Sequence, residues 1–459
     1  MNQKTKKIIS IVLLFAILPF LLFAIQKITE FRKKATPIPA NILIDTTNLQ
    51  GSLNSAMWQN FSQGGEEPKD MIGPVINQIK ALSPKLIRVD HLFDYYDVYQ
   101  SPGQYNFSKL DQIVESIIST GATPILSLSY TPPSMAKNNQ NAGEPNNWDD
   151  WYQLIKATAR RYSVDKKIPN IYYEVWNEPD LFGSWHYTKN PSYTTLFIQT
   201  NKAVANGINN QATYKIGGPA ITAFYENWIK SLFKTATDNN LKLDFISWHK
   251  YSKNISDFTA DSDKLTKILS GYPDFFGIER IISEVGPNSE PDAWYDNYMS
   301  GIHLLALTTQ LSGKIHKIFT FEVVDGPSPR SAISSGWGLL THPNKGAQPK
   351  PRFLAIQFLN QLHGQKVYAV GDGSFITSIS TKDKNIIQTL VVNYDPENKH
   401  YETFPITYQN IEPGKYQLKY THFLGDSSQK NITVTGSSYG EQVYMEPNTA
   451  VLIELAQSL

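Results

Sequence analysis

Two glutamates in this chain stand where a carboxylate can do chemistry. Glu178 closes the run IYYEVWNEPDLFGSW (171–185), in which β-branched and aromatic residues stop abruptly at Asn177-Glu178-Pro179. That pattern predicts a buried strand that delivers a carboxylate to its C-terminal end. Pro179 has no N–H for a sheet ladder and is expected to hold Glu178 in extended backbone as the chain leaves the strand. Glu284 repeats the arrangement in IERIISEVGPNSEP (278–291), where an apolar strand ends on the carboxylate and Gly286-Pro287 follow. Two carboxylates facing each other across a pocket are what hydrolysis of a glycosidic bond uses, one as acid and base and one as nucleophile. Either glutamate alone could instead be a strand-end residue paired with Lys or Arg, so the argument depends on what brings the two together.

Strand-like runs recur at 56–61, 86–90 (LIRVD), 123–129 (TPILSLS), 171–176, 214–217, 243–248 (LDFISW), 279–283 and 317–321. Helical spacing fills the intervals, among them 70–82, 109–120, 148–162, 193–208, 225–237 and 294–311, and again at 352–362. Eight strand-helix units predict an α/β fold, a (β/α)₈ TIM barrel, whose typical length is ~250 residues before loop insertions. A doubly wound sheet is the alternative, but no Gly-rich phosphate loop follows any strand. In a barrel all strand C-termini open on one face. Glu178 closes strand four and Glu284 strand seven, so one pocket receives both although 284 − 178 = 106 residues separate them. From 366 onward short alternating strands, such as 386–393 and 451–455, with turns at Gly371, Gly414 and Gly436, predict an accessory C-terminal β-sandwich. The strand at 41–47 (NILIDTT) has no helix after it and is expected to join that sandwich. The domain plan is therefore 1–34 cytoplasmic stub and transmembrane anchor or signal, 35–50 linker and first sandwich strand, 51–365 catalytic barrel, and 366–459 sandwich.

Forty-two basic and 41 acidic residues leave a net charge of +1, which gives no basis for nucleic-acid binding. The absence of cysteine excludes disulfides, thiolate metal sites and a cysteine nucleophile. Nine histidines without ligand spacing lead to an expectation of no metal and no cofactor. Residues 8–25 (IISIVLLFAILPFLLFAI) are an uncharged run long enough to cross most of a bilayer core as a helix, ~27 Å against ~30 Å. Lys4, Lys6 and Lys7 precede it, and Lys27, Arg32, Lys33 and Lys34 follow it. The run is longer than a usual signal-peptide core and no small-x-small cleavage site follows. The expectation is an uncleaved anchor with the barrel outside the cell membrane; cleavage would give a secreted protein. No feature of the sequence sets an oligomeric state.

Four segments, YYEVWNEPDL, LDFISWHKYS, IISEVGPN and WGLLTHPNKGAQPKPRFLAIQFLNQL, together resemble glycoside hydrolase family 39, the β-xylosidase and α-L-iduronidase family, and the resemblance extends over most of 41–459. It implies a retaining barrel glycosidase with an accessory β-sandwich, with Glu178 as acid/base and Glu284 as nucleophile. It further implies that Asn177 bonds the sugar 2-hydroxyl, that Arg88 supports the nucleophile's charge, and that His91 binds sugar hydroxyls. His249 and Tyr251 match a strand-six His-x-Tyr signature in which the Tyr bonds the nucleophile. Structural alternatives are strand-end capping for Asn177, an ion pair with Asp90 or Asp94 for Arg88, and a buried structural role for His249. Trp176, Trp185, Trp248 and Trp337 stand near strand ends where a ring could stack on a sugar, with Trp337 and Trp185 preferred. The family commonly carries Trp after the nucleophile and near the end of strand eight; this chain has Val285 and Phe319, which leaves the sugar open.

The combined expectation is a membrane-anchored, extracytoplasmic retaining glycoside hydrolase acting on a polysaccharide or oligosaccharide. The competing reading is a non-catalytic surface carbohydrate-binding protein on an inactivated barrel, which drift would readily have stripped of one glutamate. Cell fractionation with protease added to intact cells tests the location. The chain is expected in the membrane fraction with its barrel digested; a barrel released into the medium, or one protected from protease, contradicts the anchor.

Overall fold

All four residues of the strand Ile171–Glu174 are buried, and a backbone so enclosed must pair on both edges to satisfy its polar groups. The computed structural model describes residues 37–327 and 335–458. In it β1 (Asn60–Gln63), β2 (Leu86–Val89), β3 (Thr123–Ser127), β4 (Ile171–Glu174), β5 (Tyr214–Ile221), β6 (Phe245–Tyr251), β7 (Glu279–Gly286) and β8 (Lys317–Phe321) form a closed barrel of parallel strands, β8 pairing back onto β1. The crossovers carry α1 (Ile76–Lys80), α2 (Ser108–Ser119), α3 (Trp148–Ala159), α4 (Tyr193–Ile208), α5 (Glu226–Asp238), α6 (Ile255–Leu269) and α7 (Tyr298–Leu311), and α8 (Pro351–Leu359) follows β8. The predicted eight-stranded barrel is thus present. Its first strand starts later than expected, because Ser55–Met57 is a 3₁₀ turn whose carbonyls at Ala56 and Met57 are bonded by the Asn60 amide.

Alternation along the strands layers the barrel interior. Leu86, Ile125, Tyr172, Phe245, Ile281 and Phe319 form a buried apolar cluster. Two residues further along five of these strands stand Arg88, Ser127, Glu174, Ser247 and Ser283, all without solvent exposure. The interior therefore changes from apolar to polar in one layer, and the polar layer floors the C-terminal face. Phe319 belongs to the apolar layer, so it is not the aromatic at the end of strand eight; that residue is Phe321. Trp176, Trp185 and Trp248 are also removed from sugar contact, being at most 2% exposed. Trp176 and Trp185 pack against each other at 5.3 Å, and Trp176 packs against Trp151 of α3 at 5.9 Å, filling the space between strand ends and helices.

Apart from a small hairpin of Tyr99–Ser101 and Gln104–Tyr105, the remaining strands make a nine-stranded sheet. Ile42–Ser52 lies inside it, antiparallel to Gln365–Val370 and parallel to Glu402–Gln409. This is one continuous ladder, whereas the sequence reading expected a sandwich. Inward residues from across it, including Ile44, Val391, Phe404, Ile406 and Ile453, share a single core. Lys430 on one edge strand reaches Glu441 on the opposite edge strand at 3.0 Å. The sheet has rolled until its ends face each other. It packs on α7, where Thr309 and Thr377 hydroxyls meet at 2.6 Å, and Tyr394 donates to the Lys253 carbonyl at 2.6 Å. Enclosure by barrel and sheet explains why α7 is apolar on nearly every face. The expected helix at 8–25 lies outside the described residues; among those described, no helix is long and apolar enough to cross a membrane.

Candidate active site

The chain does not run extended from β4 through Glu178 as Pro179 suggested. Trp176 (φ 73) and Glu178 (φ 47) both adopt left-handed backbone, which costs a non-glycine residue roughly 1–3 kcal/mol and persists only where surrounding bonds dictate it. Here the Glu178 N–H bonds the Ala220 carbonyl on β5 at 2.9 Å, and its own carbonyl accepts from the N–H groups of Leu181 and Phe182 at 3.0 and 2.8 Å. These bonds outweigh the preference of a pre-proline residue. The Tyr193 hydroxyl at the start of α4 fixes the strand end from outside by donating to the Val175 carbonyl at 2.9 Å.

Glu284 reaches the same face through a defect in β7. Ile282 pairs with Trp248 and Glu284 with the next residue, His249, so β7 has one extra residue at Ser283. Such a bulge re-aims the side chain after it. Without it Glu284 would share the parity of Ile282, which packs in the helix-side core; with it, the carboxylate turns into the barrel. Ser62 on β1 secures the bulge by donating to the Ser283 carbonyl at 2.7 Å.

Arg88 joins the two halves. Its guanidinium donates from Nε to Glu174 at 2.5 Å, from Nη1 to Glu284 at 3.0 Å and from Nη2 to Asn177 Oδ1 at 2.6 Å. Asp90, one of the two structural partners considered for Arg88, stands at 3.9 Å, while Asp94 bonds His91 at 2.8 Å instead. Tyr251 donates to the second oxygen of Glu284 at 2.7 Å. Asn177 donates to the Tyr130 hydroxyl at 2.8 Å. His249 Nδ1 lies 2.8 Å from Glu178 and 3.4 Å from Glu284. One oxygen each of Glu178 and Glu284, with a ring nitrogen of His249, lie within 4.8 Å of one another. That trio has metal-ligand chemistry as well, although the Arg88 cation already donates to Glu284 at 3.0 Å.

Burial is the largest influence on Glu284 and raises its pKa above the ordinary 4.5; His249 and Arg88 oppose the rise without cancelling it, and Glu178 adds to it. For His249 burial acts downward, yet the charges of Glu284 and Glu178 outweigh it and the net shift is upward. Burial likewise disfavours the Arg88 cation, and Glu174 and Glu284 more than restore it.

Above this cluster opens a cleft of about 820 Å³, lined by Glu178, Glu284, Asn177, His91, Tyr251 and Trp337 among others. Arg88 and His249 lie beneath, with no exposure of their own. His91 is stacked on Tyr95 at 4.2 Å and pressed against Gly65, where a Cβ would come 2.3 Å from its ring. Three neighbours of the cluster went unread in the sequence. Glu174 was detectable, since an acidic residue inside a fully buried strand demands a cation. Tyr130 follows β3 as Glu178 follows β4, so position was its signal. Phe321 lines the cleft beside Trp337, ring centroids 5.8 Å apart.

Comparison with known proteins finds relatives in sequence and in fold. The family model for "Glycosyl hydrolases family 39" matches residues 77–283. A "Beta-xylosidase" of Geobacillus stearothermophilus is 23% identical over 319 residues, 62% of this chain and 61% of that protein. Another, of Caldicellulosiruptor saccharolyticus, is 24% identical over 57% of this chain and 58% of its own. The chain thus spans about six-tenths of these relatives. In fold it is similar to the GH39 enzyme of Xanthomonas axonopodis pv. citri, with a TM-score of 0.74, 19% identity, and 92% of this chain and 98% of that one covered. A monomeric beta-xylosidase of Caulobacter crescentus CB15 gives a TM-score of 0.75 at 17% identity, covering 92% and 100%.

The Arg88 network yields a stability prediction. Arg88→Met leaves Glu174 buried without its cation and is expected to cost ~3–5 kcal/mol. Adding Glu174→Gln removes the stranded charge and should recover part of the loss. Urea unfolding of the single and double variants measures this; simple additivity of the two substitutions would show that the pair is not coupled.

Proposed function

The chain belongs to glycosyl hydrolase family 39, and from that premise we propose that it is a retaining, β-xylosidase-like glycoside hydrolase that cleaves O-glycosidic bonds in a polysaccharide or oligosaccharide by double displacement. The observation that carries the reading is the approach of Glu178 and Glu284, whose oxygens come within 4.8 Å. Retaining enzymes hold their carboxyl groups ~5–5.5 Å apart, whereas inverting enzymes need ~6.5–9.5 Å to admit a water between nucleophile and sugar; so close an approach of one oxygen from each favours the shorter class.

In the first displacement ionised Glu284 attacks the anomeric carbon. The bond to the leaving oxygen breaks, and Glu178 gives that oxygen its proton. In the second, Glu178, now ionised, takes a proton from water; the water oxygen bonds the anomeric carbon, and Glu284 leaves as carboxylate. Two inversions leave the configuration unchanged. Arg88 and Tyr251 each bond one oxygen of Glu284, which fixes the carboxylate for attack. In the same reading Asn177 bonds the sugar 2-hydroxyl, His91 takes further hydroxyls, and Trp337 stacks on a ring. The enzyme works outside the membrane, anchored through 8–25. The beta-xylosidase names of the curated relatives support the substrate class.

The two glutamates should fail differently when removed. Glu284→Ala is expected to abolish turnover. Glu178→Ala should still form the glycosyl-enzyme from substrates whose leaving group needs no proton, and added azide should accelerate its release. NMR of early product is expected to show retention. Inverted product, or a mechanism-based fluorosugar attached anywhere but Glu284, contradicts the assignment.

A pH profile provides an independent check. Glu284 acts only when ionised, so kcat/KM must fall as pH drops through its pKa. Because that pKa is raised above the ordinary 4.5, the acid limb should lie above that value. Tyr251→Phe removes a bond that favours the ionised form and should move the limb to still higher pH. A limb that stays in place in Tyr251→Phe would show that another group controls it.

A further inference from the structure

The cleft is not evenly polar around its rim. Beyond β3, β4 and β5 its wall includes Ala142, Leu181, Phe182 and Ala223; at the end of β6 and beyond β7 it carries Lys250, Ser289 and Glu290, and at and beyond the end of β8 Phe321 and Trp337. Leu181 and Phe182 are 61% and 43% exposed, so two large apolar side chains stand in water at the mouth of a pocket. Both belong to the turn that holds the acid, since their N–H groups bond the Glu178 carbonyl at 3.0 and 2.8 Å. Phe182 also meets Tyr130 edge-on, ring centroids 6.0 Å apart. Polar side chains on this side direct donors inward: the Asn141 amide N–H donates to Asp94 at 2.9 Å, and the Thr222 hydroxyl donates to Asp180.

A general acid must reach the leaving oxygen, so the leaving group lies on the Glu178 side of the cleft. We propose that Leu181 and Phe182 form a leaving-group subsite for an apolar aglycone, an alkyl or aryl alcohol, in preference to a second sugar, whose hydroxyls would lose water against these two apolar side chains without a partner on either. This rests on the double-displacement reading of Glu178. The same surface then holds an alcohol acceptor in the second displacement. The acceptor oxygen bonds the anomeric carbon, Glu178 takes the acceptor's proton, Glu284 departs as carboxylate, and a new glycoside is released in place of free sugar.

Hexyl and methyl glycosides of the sugar that the enzyme turns over test the subsite, because their leaving alcohols are of similar basicity and differ in apolar surface. Each buried methylene contributes ~0.8 kcal/mol, so the unaltered enzyme is expected to favour the hexyl glycoside in kcat/KM by ~10-fold or more. In Leu181→Ser/Phe182→Ser the ratio should fall toward one. The unaltered enzyme offered equal concentrations of benzyl alcohol and methanol should form mainly the benzyl glycoside, a result that needs no variant. A hexyl-to-methyl ratio near one, a ratio unchanged in the double variant, a disaccharide preferred over the hexyl glycoside, or methyl glycoside as the main transfer product each overturns the subsite. If the enzyme inverts configuration and transfers to no alcohol, the double-displacement reading has failed and the subsite falls with it.

Discussion

One buried guanidinium holds the candidate site together. Arg88 has no solvent contact and takes up two carboxylates and an amide oxygen. Removing these charges from water costs several kcal/mol per ion unless geometry returns it. A planar fork with donors at Nε, Nη1 and Nη2 can address three acceptors in fixed directions, which an ammonium cannot. The partners come from β4, the β4 exit and β7, so one side chain from β2 sets the spacing of two segments far apart in the chain. Still, Arg88 does not make Glu284 a strongly stabilised anion, because burial prevails and its pKa remains raised. A carboxylate held in position but only partly compensated suits a proposed nucleophile better than one neutralised by its partner.

The barrel can accommodate this cluster because its interior changes character within one layer. Residues Leu86, Ile125, Tyr172, Phe245 and Ile281 close the lower core, and two residues on the side chains are short or charged. The serines at 127, 247 and 283 leave the volume that Arg88 and Glu174 occupy. Period-two alternation alone explains the placement of Arg88 and Glu174. Glu284 needs the extra residue at Ser283, and hence the Ser62 hydroxyl that secures it. The register of β7 is therefore as much a part of the site as the carboxylate it aims.

What could be read in the sequence follows the same division. The barrel and the convergence of Glu178 and Glu284 on one face were legible because strand periodicity and abrupt strand ends are local signals, whereas Tyr251 and Arg88 came only from the resemblance to family 39. The bulge was not legible, since one added residue leaves an apolar strand looking apolar. The left-handed Glu178 was misread because its backbone is set by Ala220 on the next strand, a contact the local Pro179 argument does not contain. Trp185 was misplaced for a related reason: composition marks a tryptophan as able to stack but does not say whether its face meets a sugar or another indole, here that of Trp176. Phe319 was assigned to a strand end although its parity with Lys317 and Phe321 leaves the depth open. The rolled sheet, finally, differs from a sandwich only in whether pairing continues around the corner, which alternation along single strands does not encode.

His249 gives the site its remaining economy of motion. In the proposed mechanism, the negative charge that Glu284 loses on forming the glycosyl ester reappears on Glu178 when Glu178 surrenders its proton. A site built around one fixed charge would have to reorganise at that moment, and reorganisation is what preorganised polar groups avoid. His249 Nδ1 faces both carboxylates, at 2.8 and 3.4 Å, and both push its pKa upward against burial. One ring nitrogen can therefore serve whichever carboxylate is charged without a change of rotamer. Arg88, anchored to Glu174, whose charge the reaction leaves alone, stays in place through both displacements. The proton and the negative charge move while the framework that holds them does not.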